Sequence, residues 1–157
     1  SLQTKVGEKF MVGNIVDSSG SLAQLDFTQS EVIVIDFWFN ECPPCIEEMK
    51  QFKKLLKGKE EKGKVISISI NRYGLWKSIL EKPVGRFSFL SNNVKNWRHY
   101  NLRSSQDERL KNDVPRDNNE QLQNKLNVTF YPAYFIVNRS GIIISRPVSA
   151  VDYIKGL

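Results

Sequence analysis

The chain has 157 residues, 40% of them apolar and 25% charged, with a net charge of +6 from 23 basic and 17 acidic side chains. That suits one globular domain with one sizeable core and is short for two. The longest apolar stretch, residues 32–39, is broken by Asp36 and cannot span a bilayer. The densest charge run, residues 50–64, mixes Lys with Glu60 and Glu61, as a solvated helix face does, and is no nucleic-acid footprint.

In chain order, residues 12–16, the turn Asp17-Ser18-Ser19-Gly20 and residues 22–25 predict an N-terminal β-hairpin within an extension over residues 1–30. Residues 32–38 are β-branched and aromatic on both faces, as in a central strand covered on each side. Asn40-Glu41-Cys42-Pro43-Pro44-Cys45 follows, and then Ile46, Met49, Phe52, Leu55 and Leu56 recur at helical spacing up to Gly58. Residues 65–70 return as a buried strand, which completes a βαβ unit with a parallel pair. A short helix is expected over residues 74–80, stopped by Pro83, and a strand over 87–90. Residues 92–118 are polar and poorly periodic, and are read as an insertion with one or two loose helical turns. A helix over 119–126, a strand over 131–137, the turn Asn138-Arg139-Ser140-Gly141, a partner strand over 142–145 and a short last helix complete the α/β pattern.

Both cysteines lie in one four-residue stretch. A disulfide-stapled fold would spread its bridges, and a structural zinc site needs about four ligands, whereas the only histidine is His99. A local dithiol/disulfide couple remains, and it needs no cofactor and no metal. Cys42 sits where a strand gives way to a helix, so unpaired N–H groups and the helix dipole favour its thiolate. Pro43 and Pro44 are tolerated there because first-turn N–H groups have no intrahelical partner. Cys42 is therefore the expected exposed nucleophile, and Cys45, one turn deeper, the resolving thiol. Asp36, an acid in an apolar central strand, is expected to have a raised pKa and to relay a proton to or from Cys45. A buried Asp satisfied by a water or a lysine is the alternative.

The run Val34-Ile35-Asp36-Phe37-Trp38-Phe39-Asn40-Glu41-Cys42-Pro43-Pro44-Cys45 resembles the active-site strand and helix of the thioredoxin-like superfamily. Thr129-Phe130-Tyr131-Pro132-Ala133-Tyr134-Phe135 resembles its second hallmark, a cis-proline that opens the next strand. The resemblance implies a thioredoxin fold, a central mixed β-sheet flanked by helices, as one domain over 1–157. It also implies that Trp38 stands beside the dithiol, that Pro132 packs against it, and that the Tyr131 backbone pairs with an extended substrate. Trp38, Pro43, Pro44, Tyr131 and Pro132 are thus the expected substrate-binding residues. The Pro-Pro dipeptide, Ile46-Glu47-Glu48-Met49, the N-terminal hairpin and the long stretch before Pro132 are similar to the TlpA/ResA-like branch. That branch implies a periplasmic or extracytoplasmic reductase of cysteine pairs. Its partners would be a disulfide-bearing protein and a membrane or soluble thiol donor, not nucleic acid. The chain opens on Ser1 rather than methionine, which is read as a processed product with an upstream signal or membrane tether allowed for. Tyr131 is bulkier than the usual residue before the cis-proline.

Three other readings compete. A peroxiredoxin places Thr or Ser three residues before its peroxidatic cysteine, where this chain has Phe39. Cu(I) or haem handling would use the two thiolates, with His99 as an added ligand. A redox-inert binding module on the same fold is the third, and the intact dithiol argues against it.

Overall fold

A computed structural model describes residues 5–105 and 113–157. The described elements are β1 (Ile15–Val16), β2 (Val32–Trp38), α1 (Pro43–Leu56), β3 (Gly63–Ser69), α2 (Tyr73–Glu81), a 3₁₀ turn (Gly85–Leu90), β4 (Trp97–Leu102), α3 (Arg116–Leu126), β5 (Ala133–Val137), β6 (Ile143–Ser145) and α4 (Ala150–Lys155). The strands form one six-stranded sheet in the order β1-β4-β3-β2-β5-β6. β2, β3 and β4 run parallel, and β1, β5 and β6 pair antiparallel with their neighbours. This is a mixed sheet of the thioredoxin type, flanked by helices.

Alternation along β2 supplies both cores. Val34 and Trp38 face α1, α2 and α4, together with Met49, Phe52, Trp76 and Ile154. Ile33, Ile35 and Phe37 face the opposite layer, where Leu122 and Leu126 of α3 meet Phe10 and Phe135. β2 is therefore buried on both faces, as its unbroken apolar run requires. Asp36 shares the face of Val34 and Trp38 and points toward the α1 layer.

Three expectations change. The N-terminal hairpin is smaller than residues 12–25: β1 spans two residues, closed by a bridge between Val16 and Leu22 around the Asp17–Gly20 turn. The strand expected over 87–90 is a 3₁₀ turn instead. Gly85, at φ +59°, reverses the chain after Pro83, and Phe87 and Phe89 act as wedges against Trp38 and Trp97.

The polar insertion over 92–118 is mostly built structure. It contains β4, which lies between β3 and β1 inside the sheet, and the start of α3. Its polarity misleads because the asparagines are buried stitches. Asn96 Nδ2 donates to the Leu56 and Gly63 carbonyls, Asn101 Nδ2 to those of Ser69 and Asn71, and Asn118 Nδ2 to those of Ile70 and Leu102. Each amide gives its N–H groups to two carbonyls at the ends of α1, β3 and β4 or in the loop after β3, and so ties those ends together. Residues 106–112 of the expected insertion lie outside the described residues.

Candidate active site

β2 ends at Trp38, and the chain crosses the sheet edge to enter α1 at Pro43. Cys42 is the N-cap residue, with Pro43 and Pro44 in the first turn and no acidic residue there. The Cys42 carbonyl accepts the Ile46 N–H at 3.2 Å, which starts the helix. Cys42 and Cys45 are joined by a disulfide with their Cα atoms 5.3 Å apart. The end of a 14-residue helix that carries unpaired N–H groups thus points at the sulfur pair, and would favour a thiolate once the bond is reduced.

The expected exposure of Cys42 needs correction. In the disulfide state Cys42 is 4% exposed and Cys45 fully buried, so Cys42 is the more accessible sulfur without being open. The exposed surface here is Pro43 and Pro44. Trp38, expected to touch substrate, has no exposed surface. It forms the inner wall, with its ring 6.3 Å from Phe87. The Arg86–Glu41 ion pair, at 2.9 Å, ties the 3₁₀ turn to the loop before Cys42.

The Tyr131–Pro132 bond is cis. Phe37 of β2 pairs with Ala133 of β5, so the chain enters β5 at Pro132 at the same end of the sheet where β2 leaves for Cys42. Tyr131 lies just outside the β5 ladder, which begins at Ala133. Its ring meets Phe39 edge to face at 5.6 Å, and its hydroxyl lies 3.3 Å from Asn119 Oδ1. Phe39 and Tyr131 therefore join the dithiol loop to the cis-proline segment.

Asp36 is wholly buried on the face of β2 that looks toward α1, the helix that carries Cys45. Burial pushes its carboxyl up to about 7, opposed by a hydrogen bond from Ser67 and aided by the charge of Glu48. Oδ2 accepts the Ser67 hydroxyl at 2.8 Å, and the Ser67 oxygen accepts the Trp97 indole N–H at 2.9 Å. Among the described residues no lysine or other cation pairs with Asp36, in contrast to the lysine that the sequence alone left open. Tyr134 stands opposite Asp36 on β5, and burial drives its phenol strongly upward.

Sequence reasoning missed Ser67, Glu48 and Tyr134 as neighbours of the site, while Trp97 and Phe87, weighed from sequence as groove-lining or packing residues, pack into the core beside it. One signal was available: Ser67 and Ser69 interrupt the apolar run of β3 at alternate positions. His99 lies on β4, its ring 4.6 Å from that of Trp97. Both ring nitrogens are buried without a partner, and burial lowers its pKa to about 4. Among the described residues no group of three or more His, Cys, Asp or Glu side chains could hold a metal ion.

A family model described as Redoxin matches residues 5–152. Among solved structures, the thioredoxin domain of a thiol–disulfide oxidoreductase from Bacteroides vulgatus superposes with TM-score 0.62 at 17% identity, over 96% of this chain and 93% of that one. A thiol:disulfide interchange protein from Bacteroides sp. gives TM-score 0.61 at 17% identity, over 90% and 80%. A reduced 2-Cys peroxiredoxin from Plasmodium vivax gives 0.60 at 17%, over 98% and 93%. At these identities the likeness is one of fold. No curated protein sequence matches this chain.

Proposed function

This chain belongs to the Redoxin family, and from that premise we propose that it reduces disulfides of exported proteins through the Cys42–Cys45 couple. It is a thiol–disulfide oxidoreductase; the direction, the export and the TlpA/ResA-like placement belong to the proposal. The observation that carries the reading is the disulfide at the N-terminus of α1, the helix that packs on the face of β2 holding the buried Asp36.

In the reduced state Cys42, at the positive end of the helix, is the thiolate that attacks a substrate disulfide. A mixed disulfide forms with Cys42, and one substrate sulfur leaves. Asp36 takes the proton of Cys45, whose sulfur then attacks Cys42 and releases the second substrate thiol. Pro43, Pro44, Tyr131 and Pro132 form the surface on which an extended peptide lies, and Trp38 backs it. Phe39, where a peroxiredoxin has Thr or Ser, supports disulfide rather than peroxide chemistry. The partners are a disulfide-bearing protein and a thiol donor, membrane-bound or soluble. Among the described residues no helix is long and apolar enough to cross a membrane.

Direction is read by equilibrating the couple against glutathione. A potential below about −250 mV supports a reductase, and one near about −120 mV identifies an oxidant and overturns the proposed direction.

A further inference from the structure

β3 places serines where its neighbours are apolar. Ser67 and Ser69 alternate with Ile66 and Ile68 in a fully buried strand. A buried hydroxyl is costly without partners, and Ser67 has one on each side. It accepts the Trp97 indole N–H at 2.9 Å and donates to Asp36 Oδ2 at 2.8 Å. Chemistry fixes the direction of the first bond, because an indole N–H donates and cannot accept. The hydrogen of Ser67 is then left for Asp36. All three residues are 0% exposed, so water does not compete for these bonds.

The two oxygens of Asp36 are therefore unlike. Oδ2 is held by Ser67, whereas Oδ1 has no hydrogen-bond partner among the described residues. An added proton settles on the oxygen that is not already accepting one. We propose that Trp97 and Ser67 form a one-way donor relay that anchors Asp36 through Oδ2 and leaves Oδ1 as the atom that takes the Cys45 proton. This rests on the dithiol reaction proposed above. Ser67 and Trp97 are positioning residues, since they act through Asp36.

In the mixed disulfide, the Cys45 thiol gives its proton to Oδ1 of the Asp36 carboxylate. The electron pair left on sulfur forms the Cys42–Cys45 bond, and the bond from Cys42 to the substrate sulfur breaks. The substrate leaves as a thiolate and is protonated from solvent. Over the full cycle two electrons pass from the enzyme dithiol to the substrate disulfide.

This step needs an ionised Asp36. The groups placed around it are Glu48 from α1, Ser67 from β3 and Tyr134 from β5, with His99 on β4 the register partner of Ser67, and Cys45 lies in the core layer on the same face of β2. Burial and the Glu48 charge disfavour the carboxylate, and the Ser67 hydroxyl is the contact that favours it. Removing that donor would leave Asp36 mostly protonated at neutral pH, with only about a tenth of the molecules able to accept.

The test follows the Asp36 carboxyl by ¹³C NMR in the oxidised full chain, so that no thiol titrates. Ser67→Ala should move its midpoint up by about one pH unit, as loss of a hydrogen bond to a charged group implies. Ser67→Thr, which keeps the hydroxyl, should restore it. Trp97→Phe should give a smaller upward shift, and should add nothing in the Ser67→Ala background. In parallel, a mixed disulfide between Cys42 and thionitrobenzoate reports resolution by release of the coloured thiol. Ser67→Ala should slow that release about tenfold at neutral pH and recover about one pH unit higher. An unmoved midpoint in Ser67→Ala overturns the relay, as does a further shift on adding Trp97→Phe, which would mark a packing effect. A moved midpoint with unchanged release overturns the assignment of Oδ1 as proton acceptor, while the family and the dithiol chemistry stand.

Discussion

Replacing Asp36 by asparagine should make the protein more stable at neutral pH than at acid pH, relative to the native chain. The Asp36 carboxyl sits at about 7 in the fold, against 3.8 for an ordinary aspartate, because it is buried. Below about pH 4 the group is neutral in both folded and unfolded chains and contributes no penalty. As pH rises through that window the unfolded chain ionises while the folded chain does not. Stability then falls by about 1.4 kcal/mol per pH unit, to a total of about 4 kcal/mol once the pH exceeds about 7. Asparagine does not ionise. Its carbonyl still accepts from Ser67, and its amide, without an acceptor, adds a cost of about 1–3 kcal/mol that is the same at every pH. The stability of Asp36→Asn minus that of the native chain should therefore climb by about 4 kcal/mol between about pH 4 and about pH 8. Urea unfolding of both oxidised proteins across this range measures it, with unchanged m as the control. A difference that stays flat with pH would refute the buried, neutral-leaning Asp36.

His99 has the opposite sign. Its depressed pKa means that stability present above about pH 6.5 is lost as the pH falls toward 4, by at most about 3 kcal/mol. His99→Phe should remove that loss and lower the acid-unfolding midpoint. Glu48 accepts the Ala150 N–H at 2.8 Å and the Ser149 hydroxyl at 3.0 Å, which starts α4. Glu48→Ala should cost about 2 kcal/mol in urea unfolding and also lower the Asp36 midpoint, since a like charge is removed. Phe52 is fully buried against Trp97, and Phe52→Ala should cost about 3–5 kcal/mol by opening a cavity.

The active-site strand and helix were legible because their signals are local. The apolar run of β2, the helical spacing after Cys45 and the prolines at the helix start all reflect short-range rules. β4 was not legible. Its residues are Trp97-Arg98-His99-Tyr100-Asn101-Leu102, and the buried Asn101 is held by the carbonyls of Ser69, the last residue of β3, and of Asn71 just beyond it. No sequence window contains those partners. The 3₁₀ turn over Gly85–Leu90 was missed for a related reason: Phe87 and Phe89 look like one face of a strand until Gly85 turns the chain. Asp36 stood out from its own strand, whereas Ser67 and Trp97 became its neighbours only through the register of β2, β3 and β4.

In the proposed cycle Cys42 attacks and Cys45 resolves, a division of labour that two single-cysteine variants separate. It is tested most directly by incubating reduced Cys42→Ser and Cys45→Ser proteins with a disulfide-bearing substrate and mapping any covalent adduct by mass spectrometry. Cys45→Ser should accumulate a stable mixed disulfide through Cys42, while Cys42→Ser should form none and reduce nothing. An adduct on Cys45, or continued turnover by Cys42→Ser, would contradict it.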